Sequence, residues 1–134
     1  MIFDFTKKIY GYECDVYGHL NNAVYLQLYE AARAEALISM EMPVARLKEQ
    51  GIMLFLIKVE IEYKKGVELE DTVTIKTMIT KNDRLKALWY QEIYNSKGEL
   101  CSFANITGVY VSDGKPTRID KELCSYFDGF VENR

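Results

Sequence analysis

Residues 23–42, AVYLQLYEAARAEALISMEM, carry apolar side chains at helical spacing. The i, i+4 and i+7 positions of one helix face are occupied by Tyr25, Tyr29, Ala32, Ala36 and Met40. Polar side chains form only a narrow stripe around Gln27 and Glu30. Pro43 ends the pattern, because proline disfavours the helical conformation in the residue before it. The pattern therefore predicts a helix over 23–42 that is buried rather than laid on a surface.

The segments on either side of this helix favour strands. Residues 57–64 (IKVEIEYK) alternate between apolar and polar, which predicts a strand with one covered face. Further strands are predicted at 6–13, 72–80, 84–95 and 99–111, and a short helix at 120–127. The strands 84–95 and 99–111 are apolar on both faces in places, which indicates a second covered surface such as a subunit contact. One buried helix against a meander of long strands predicts an α+β fold in which an antiparallel sheet wraps around the helix.

Length and composition narrow the class of protein. The 134 residues predict a single domain, 1–134. With 49% apolar and 28% charged residues, the chain is expected to be neither disordered nor membrane-spanning. A net charge of −3 argues against nucleic-acid binding. The acid in the N-terminal MIFDFTKK and three widely spaced cysteines, which we interpret as free thiols, predict a cytoplasmic protein.

The same sequence excludes several kinds of site. His19 is the only histidine and the cysteines form no C-x-x-C pair, so a zinc site is not expected. The glycine-rich signatures of serine hydrolases, dinucleotide-binding domains and phosphate-binding loops do not occur. Any chemistry is therefore expected to use carboxylates, backbone amides or the single imidazole.

A polar cluster lies between the first strand and the helix: Asp15, Gly18, His19, Asn21 and Asn22. In one interpretation, the glycine forms a turn and the asparagines cap the helix, whose first N–H groups lack internal partners. In the other, those N–H groups stabilise an oxyanion beside Asp15, which acts as nucleophile or base. His19 either orders the loop or takes part in catalysis. Both interpretations stay open on spacing alone.

The motif D-x-x-G-H-x-N-N-x-x-Y over 15–25, followed by E-x-A-R over 30–33, resembles the signature of hotdog-fold acyl-CoA thioesterases. The clade that it resembles is that of 4-hydroxybenzoyl-CoA thioesterase, and the resemblance covers nearly the whole chain. It implies a hotdog fold and hydrolysis of a coenzyme A thioester to free acid and CoA. It also implies Asp15 as the catalytic carboxylate and the Asn22 N–H as the oxyanion donor. Neither a metal nor a redox cofactor is implied.

The resemblance also implies partners and binding residues. A homodimer, or a homotetramer made of two dimers, is expected, with the pocket across the dimer interface. His19, Asn21 and Tyr25 are candidates for substrate contacts. The phosphates of coenzyme A need local positive charge, for which Lys64, Lys65 and Arg84 are candidates.

Three alternatives remain. Glu30 is a rival catalytic acid, because a second thioesterase clade places its carboxylate on the helix; its spacing from Arg33 favours a salt pair instead. A hotdog enoyl-CoA hydratase or dehydratase would use Asp15 and His19 together. A non-catalytic acyl-CoA-binding module would use neither. The chain also departs from many members of the family at Gly66-Val67, where they carry proline-alanine.

Overall fold

The computed structural model describes residues 1–133 and forms one sheet with three helices in that range. The strands are β1 (Phe3–Lys8), β2 (Met53–Tyr63), β3 (Thr72–Asn82), β4 (Lys86–Tyr94), β5 (Leu100–Ser112) and β6 (Lys115–Pro116). The helices are α1 (Asn22–Ser39), α2 (Val44–Glu49) and α3 (Lys121–Asp128), and a short 3₁₀ turn spans Gly11–Glu13.

The sheet has the strand order β1-β3-β4-β5-β2, with β6 added to β5, and every neighbouring pair is antiparallel. Helix α1 packs on its inner face, against β1 and β3. The register places Trp89 of β4 between Ile79 of β3 and Ile106 of β5, and all three side chains are buried. The predicted α+β architecture, a long antiparallel sheet wrapped around a central helix, is confirmed.

The ends of α1 differ slightly from the predicted 23–42. Asn21 is the N-cap, and its side-chain oxygen accepts a hydrogen bond of 3.0 Å from the Ala23 N–H. At the other end Glu41 adopts a φ of 61°, which a continuing right-handed helix does not allow. The helix therefore ends at Ser39, before the residue that precedes Pro43.

Helix α1 is buried on its sheet side, as predicted, whereas its opposite side is exposed. Leu26 and Ile38, on the opposite side, are 46% and 54% exposed. The buried side is fixed by polar contacts as well as by packing: the Tyr29 hydroxyl donates to Ser102 Oγ over 2.8 Å. Gln91 Nε2 donates to the Tyr29 carbonyl, and Arg33 donates to Gln91 Oε1, both over 2.9 Å.

Two strand predictions need correction. Strand β1 ends at Lys8, because residues 11–13 turn; Glu13 Oε1 accepts hydrogen bonds from the Tyr10 N–H and from Lys7 Nζ. Strand β2 starts at Met53, forms an edge of the sheet and is mostly exposed along its length. The alternation over 57–64 predicted a strand with one covered face, and this part of the prediction was wrong.

Among these strands, the exposed large apolar side chains lie on β2 and not on β4 or β5. The outward Tyr90 of β4 is only 8% exposed, and its ring centroid lies 6.1 Å from that of Phe103 on β5. On β2, in contrast, Phe55, Leu56 and Ile57 are 44–64% exposed. None of the helices within residues 1–133 has the length and apolar character needed to cross a membrane.

Candidate active site

A pocket of ≈ 240 Å³ lies where the loop before α1, the start of α1 and the end of β2 meet. It brings together six of the eight predicted site residues with three others. Its lining consists of Asp15, His19, Leu20, Asn22, Tyr25, Tyr63, Lys64, Lys65 and Gly66.

Asp15 holds its own loop with one of its two carboxylate oxygens. Oδ1 accepts hydrogen bonds from the backbone N–H groups of Tyr17 (2.9 Å) and His19 (3.3 Å). The backbone closes the same loop, since Asp15 N–H donates to the His19 carbonyl and Gly18 N–H donates to the Asp15 carbonyl. Gly18 turns the chain with a φ of 76°, a conformation that favours glycine. Within residues 1–133 no hydrogen bond occupies Oδ2, which leaves this oxygen available for chemistry.

The start of α1 supplies hydrogen-bond donors to the same pocket. The Asn21 side chain caps the helix by accepting from Ala23, so it serves the helix end and is not part of the pocket lining. The Asn22 N–H has no hydrogen-bond partner in the described part of the chain. An unpaired N–H at the positive end of a helix dipole favours an anion or a developing oxyanion.

Two tyrosines form one wall of the pocket. The rings of Tyr25 and Tyr63 meet edge to face, with centroids 4.9 Å apart. Tyr25 is 2% exposed, and this burial raises the pKa of Tyr25 to about 12, although a hydrogen bond with the Val67 backbone acts in the opposite direction. Its phenol is therefore neutral at physiological pH and is able to donate a hydrogen bond.

The imidazole of His19 faces Glu68 rather than Asp15. His19 Nε2 lies 3.4 Å from Glu68 Oε1, and the two residues also form a backbone bridge. The ring packs on Gly66, where an added Cβ would lie 3.1 Å from Cγ and Nδ1 of the imidazole. No hydrogen bond joins the His19 side chain to Asp15 among the residues that are described. This arrangement favours a role for His19 in ordering the loop. It also explains why residue 66 is a glycine, since a side chain there would crowd the imidazole.

The predicted cationic residues divide into two groups. Lys64 and Lys65 line the pocket, where Lys64 Nζ lies 3.4 Å from Glu62 and Lys65 Nζ 2.6 Å from Glu99. The hydrogen bond to Glu99 raises the pKa of Lys65. Arg84 lies at the opposite end of the sheet, where its Nε donates to the Ile119 carbonyl over 2.7 Å. The structure therefore does not bring Arg84 to this pocket.

Glu30, the rival carboxylate, lies two turns along α1 from Asn22 and lines a separate groove between α1 and β2. The salt pair expected between Glu30 and Arg33 is not formed among the described residues, because Arg33 donates to the neutral Gln91 instead. The side chains of residues 1–133 contain no group of three or more histidine, cysteine or acidic residues arranged to hold a metal ion.

Sequence reasoning missed Tyr63 and the contact between Gly66 and His19. Tyr63 was assigned only to a strand, and neither its meeting with Tyr25 nor the packing of His19 is encoded in local spacing. The departure at Gly66-Val67 from the proline-alanine of many members was the one available signal.

Comparison with known proteins gives three findings. The family described as "Thioesterase-like superfamily" matches residues 11–127. The acyl-CoA thioester hydrolase YbgC of Escherichia coli is 26% identical over 128 residues, which are 94% of this chain and 96% of that protein. The long-chain acyl-CoA thioesterase FadM of Escherichia coli is 29% identical over 105 residues, or 78% and 79% of the two chains.

A solved structure gives the same fold. The DHNA-CoA thioesterase from Staphylococcus aureus superimposes with a TM-score of 0.89 at 23% identity, over 96% of this chain and 89% of the other. The expected hotdog architecture is thereby confirmed.

Proposed function

Since this chain belongs to the thioesterase-like superfamily and is a thioester hydrolase, we propose that its single domain, 1–134, hydrolyses an acyl thioester of coenzyme A to a free acid and CoA. The relatives YbgC and FadM, both named for acyl-CoA thioesters, support this substrate class. The observation that carries the proposal is the free Oδ2 of Asp15 in the same pocket as the unpaired N–H of Asn22.

The Asn22 N–H binds the carbonyl oxygen of the thioester and stabilises the oxyanion that develops on it. One such preorganised donor contributes roughly 2.7–4 kcal/mol to transition-state stabilisation. Asp15 then acts in one of two ways. Oδ2 attacks the carbonyl carbon, the C–S bond breaks with departure of the CoA thiolate, and water hydrolyses the resulting anhydride. Alternatively, Asp15 takes a proton from the water that attacks directly, and the C–S bond breaks in the same sense.

The remaining residues of the pocket bind and position the substrate. Tyr25 offers a neutral phenol beside the reacting group, and His19 keeps the Asp15 loop in place. Asn21 acts by capping α1 and so fixes the direction of the Asn22 N–H. Lys64 and Lys65 attract the phosphates of coenzyme A to the pocket entrance. We leave Arg84 out of this set because of its distance along the sheet.

The active form is a homodimer, or a tetramer of two dimers, in the cytoplasm. The 11-residue strand β2 has a free edge and carries exposed apolar side chains. Soluble proteins usually cover or charge such an edge, because it otherwise pairs with other chains. A second copy that pairs along β2 covers this surface and extends the groove beside α1.

The test is thiol release from a panel of short, long and aromatic acyl-CoAs, measured with the wild-type protein and with Asp15→Asn. We expect turnover of at least one thioester by the wild type and its loss in the variant. Asp113→Asn, in a turn remote from the pocket, is the matched control and should keep full activity. Hydration of an enoyl-CoA without thiol release, or binding without turnover, would instead support the hydratase or the binding module.

A further inference from the structure

A groove separate from the candidate active site lies between α1 and β2. It consists of a cavity of ≈ 530 Å³ and a neighbouring cavity of ≈ 210 Å³, and among the described residues the groove and the Asp15 pocket have no lining residue in common. The larger volume falls within the roughly 300–1,000 Å³ that is typical of small-molecule sites. Most of the wall is apolar and includes Leu26, Leu37, Val44, Leu54, Leu56 and Val59. Of these, Leu26, Val44 and Leu56 are 44–58% exposed, so the wall is open to a hydrocarbon ligand.

Arg33 brings a positive charge into this apolar groove. It lines both cavities and is only partly exposed. Its Nη1 donates to Gln91 Oε1 over 2.9 Å, and the other N–H donors of the guanidinium have no hydrogen-bond partner within residues 1–133. No ion pair joins Arg33 to a carboxylate in the same range. Charges that are withdrawn from water are normally paired, so this guanidinium lacks its counter-charge.

Gln91 holds the guanidinium in place without neutralising it. Gln91 is fully buried, and its Nε2 donates to the Tyr29 carbonyl and to Thr77 Oγ1, both over 2.9 Å. These two bonds fix the amide and turn its neutral Oε1 towards Arg33. A guanidinium fixed by one corner still offers a planar fork of donors, which matches the two oxygens of a carboxylate.

The acid in the groove does not take the place of that carboxylate. Glu30 lines both cavities, one helical turn before Arg33, but its side chain is exposed to solvent. Burial lowers the pKa of Arg33, while the charge of Glu30 acts in the opposite direction without forming an ion pair. Water screens an exposed charge more than a buried one. The positive charge is therefore the more buried of the two, which favours an anionic ligand inside the groove.

We propose that the groove between α1 and β2 is a second binding site, which takes a free aliphatic carboxylic acid with its carboxylate on the Arg33 guanidinium and its hydrocarbon chain along the apolar wall. A compact hydrated anion such as phosphate would leave the wall uncovered, and a neutral alcohol would leave the charge of Arg33 unpaired. The site goes beyond the proposed reaction and does not depend on it, because its lining residues are distinct from those of the Asp15 pocket.

Calorimetric titration with ligands of one chain length and different head groups tests this recognition. Octanoate should bind the wild-type protein at least about ten-fold more tightly than octanol, because a hydrogen bond to a charged group contributes at least that factor. Octylammonium should bind more weakly than octanoate, and inorganic phosphate should not displace octanoate. Equal dissociation constants for octanoate and octanol, tighter binding of octylammonium, or displacement by phosphate would each overturn the inference.

Variants of Arg33 locate the bound acid. Arg33→Gln should weaken octanoate about ten-fold and leave octanol unchanged, whereas Arg33→Lys keeps the charge and should weaken octanoate less. Glu30→Gln should tighten octanoate by a few fold, because it removes the nearby negative charge. Arg118→Gln, which removes an exposed arginine from the segment before α3, is the matched control and should bind octanoate as the wild type does. Unchanged octanoate affinity in a folded Arg33→Gln protein overturns the inference. If circular dichroism shows that this variant is unfolded, Arg33→Lys and the head-group series decide.

A second copy of this chain is the competing occupant of the groove. If an acidic side chain of that copy paired with Arg33, the assembled wild type would not bind octanoate, and Arg33→Gln would show a smaller particle mass in light scattering. These two results together would assign the groove to a subunit interface and overturn the inference. An unchanged mass together with weakened octanoate binding in Arg33→Gln supports the free acid as the occupant.

Discussion

The imidazole of His19 and the backbone of Gly66 are in direct contact, with no room between them for a side chain. A Cβ at residue 66 would lie 3.1 Å from the ring, which is closer than ordinary van der Waals contact. The backbone N–H of Leu20 donates to the Val67 carbonyl next to this contact, over 2.8 Å. The segment after β2 therefore forms the support on which the Asp15 loop rests.

Gly66→Ala should lower activity with little loss of folding. The half-exposed imidazole has to move by a few tenths of an ångström, and the Asp15 loop moves with it. We expect kcat/KM to fall about ten-fold, less than the ~100-fold that a 1 Å displacement at an active site can cost. In a His19→Ala background the same substitution should have almost no further effect, as a double-mutant cycle measures. Additive losses in the two variants would contradict this coupling.

Asp15→Asn should abolish chemistry while the loop stays in place. Asparagine keeps a side-chain oxygen that accepts from Tyr17 and His19, but the negative charge is lost. We expect kcat to fall by at least ~100-fold, the lower end for loss of a general base. Circular dichroism should be unchanged.

Two companion variants make this experiment decisive. His19→Gln should cost less than Asp15→Asn, because His19 contacts Glu68 rather than the reacting carboxylate. Glu30→Gln should leave kcat for the acyl-CoA thioesters of the panel within a few fold of the wild type. Near-normal turnover in Asp15→Asn together with loss of activity in Glu30→Gln would transfer the catalytic role to the helix.

Tyr29→Phe should destabilise the fold through a single hydrogen bond. The Tyr29 hydroxyl donates to Ser102 Oγ in the core, and both residues are fully buried. Removing the hydroxyl leaves Ser102 without this partner, which should lower the free energy of unfolding by about 1–3 kcal/mol. Urea denaturation of Tyr29→Phe, Ser102→Ala and the double variant measures the coupling. If the loss of unfolding free energy in the double variant equals the sum of the losses in the two single variants, the Tyr29–Ser102 hydrogen bond contributes nothing specific.

The turn between β3 and β4 should make stability depend on pH in the acid range. Asp83 Oδ1 accepts from the Leu85 and Lys86 N–H groups, and these hydrogen bonds hold the pKa of Asp83 below its usual value. The stabilisation is therefore fully present above the unfolded-state pKa of about 3.9 and is lost as the pH falls through the lower, folded-state value. Asp83→Asn should flatten this part of the stability profile, measured by Tm between pH 2 and 5. An unchanged profile would show that the turn does not contribute.

Ile57→Lys should separate the subunits if β2 is the contact. Ile57 is 64% exposed within one chain, so a lysine there should fold normally in a monomer. At a paired edge the added charge should block association, because edge lysines prevent strand pairing. Light scattering should show a smaller particle mass for Ile57→Lys than for the wild type. The thioesterase assay should show a lower activity for this variant. Leu85→Lys, in the β3–β4 turn and 43% exposed, is the control and should keep the assembly. A fully active, unchanged assembly in Ile57→Lys would place the contact elsewhere.

The sequence predicted best the features that depend on residues close to one another in the chain. The helix over 23–42 and the cluster from Asp15 to Asn22 depend on residues close in the chain, and the structure has both in nearly the expected places. Arg84 was misplaced because charge and strand assignment do not reveal which end of a sheet a turn occupies. The exposed faces of β2 were missed for a related reason: alternation shows which side chains share a face, whereas what covers that face depends on contacts distant in sequence.

The anchoring of Asp15 by its own loop has an evolutionary consequence. Two backbone N–H groups within residues 15–19 hold one carboxylate oxygen, and two backbone hydrogen bonds close the same loop, without contact with the groove between α1 and β2. Substitutions along α1 and β2 can thus reshape what the groove accepts while the reactive oxygen stays where it is. The reactive carboxylate and the groove therefore lie on separate segments, so the groove can change, in evolution or by engineering, while the carboxylate stays in place.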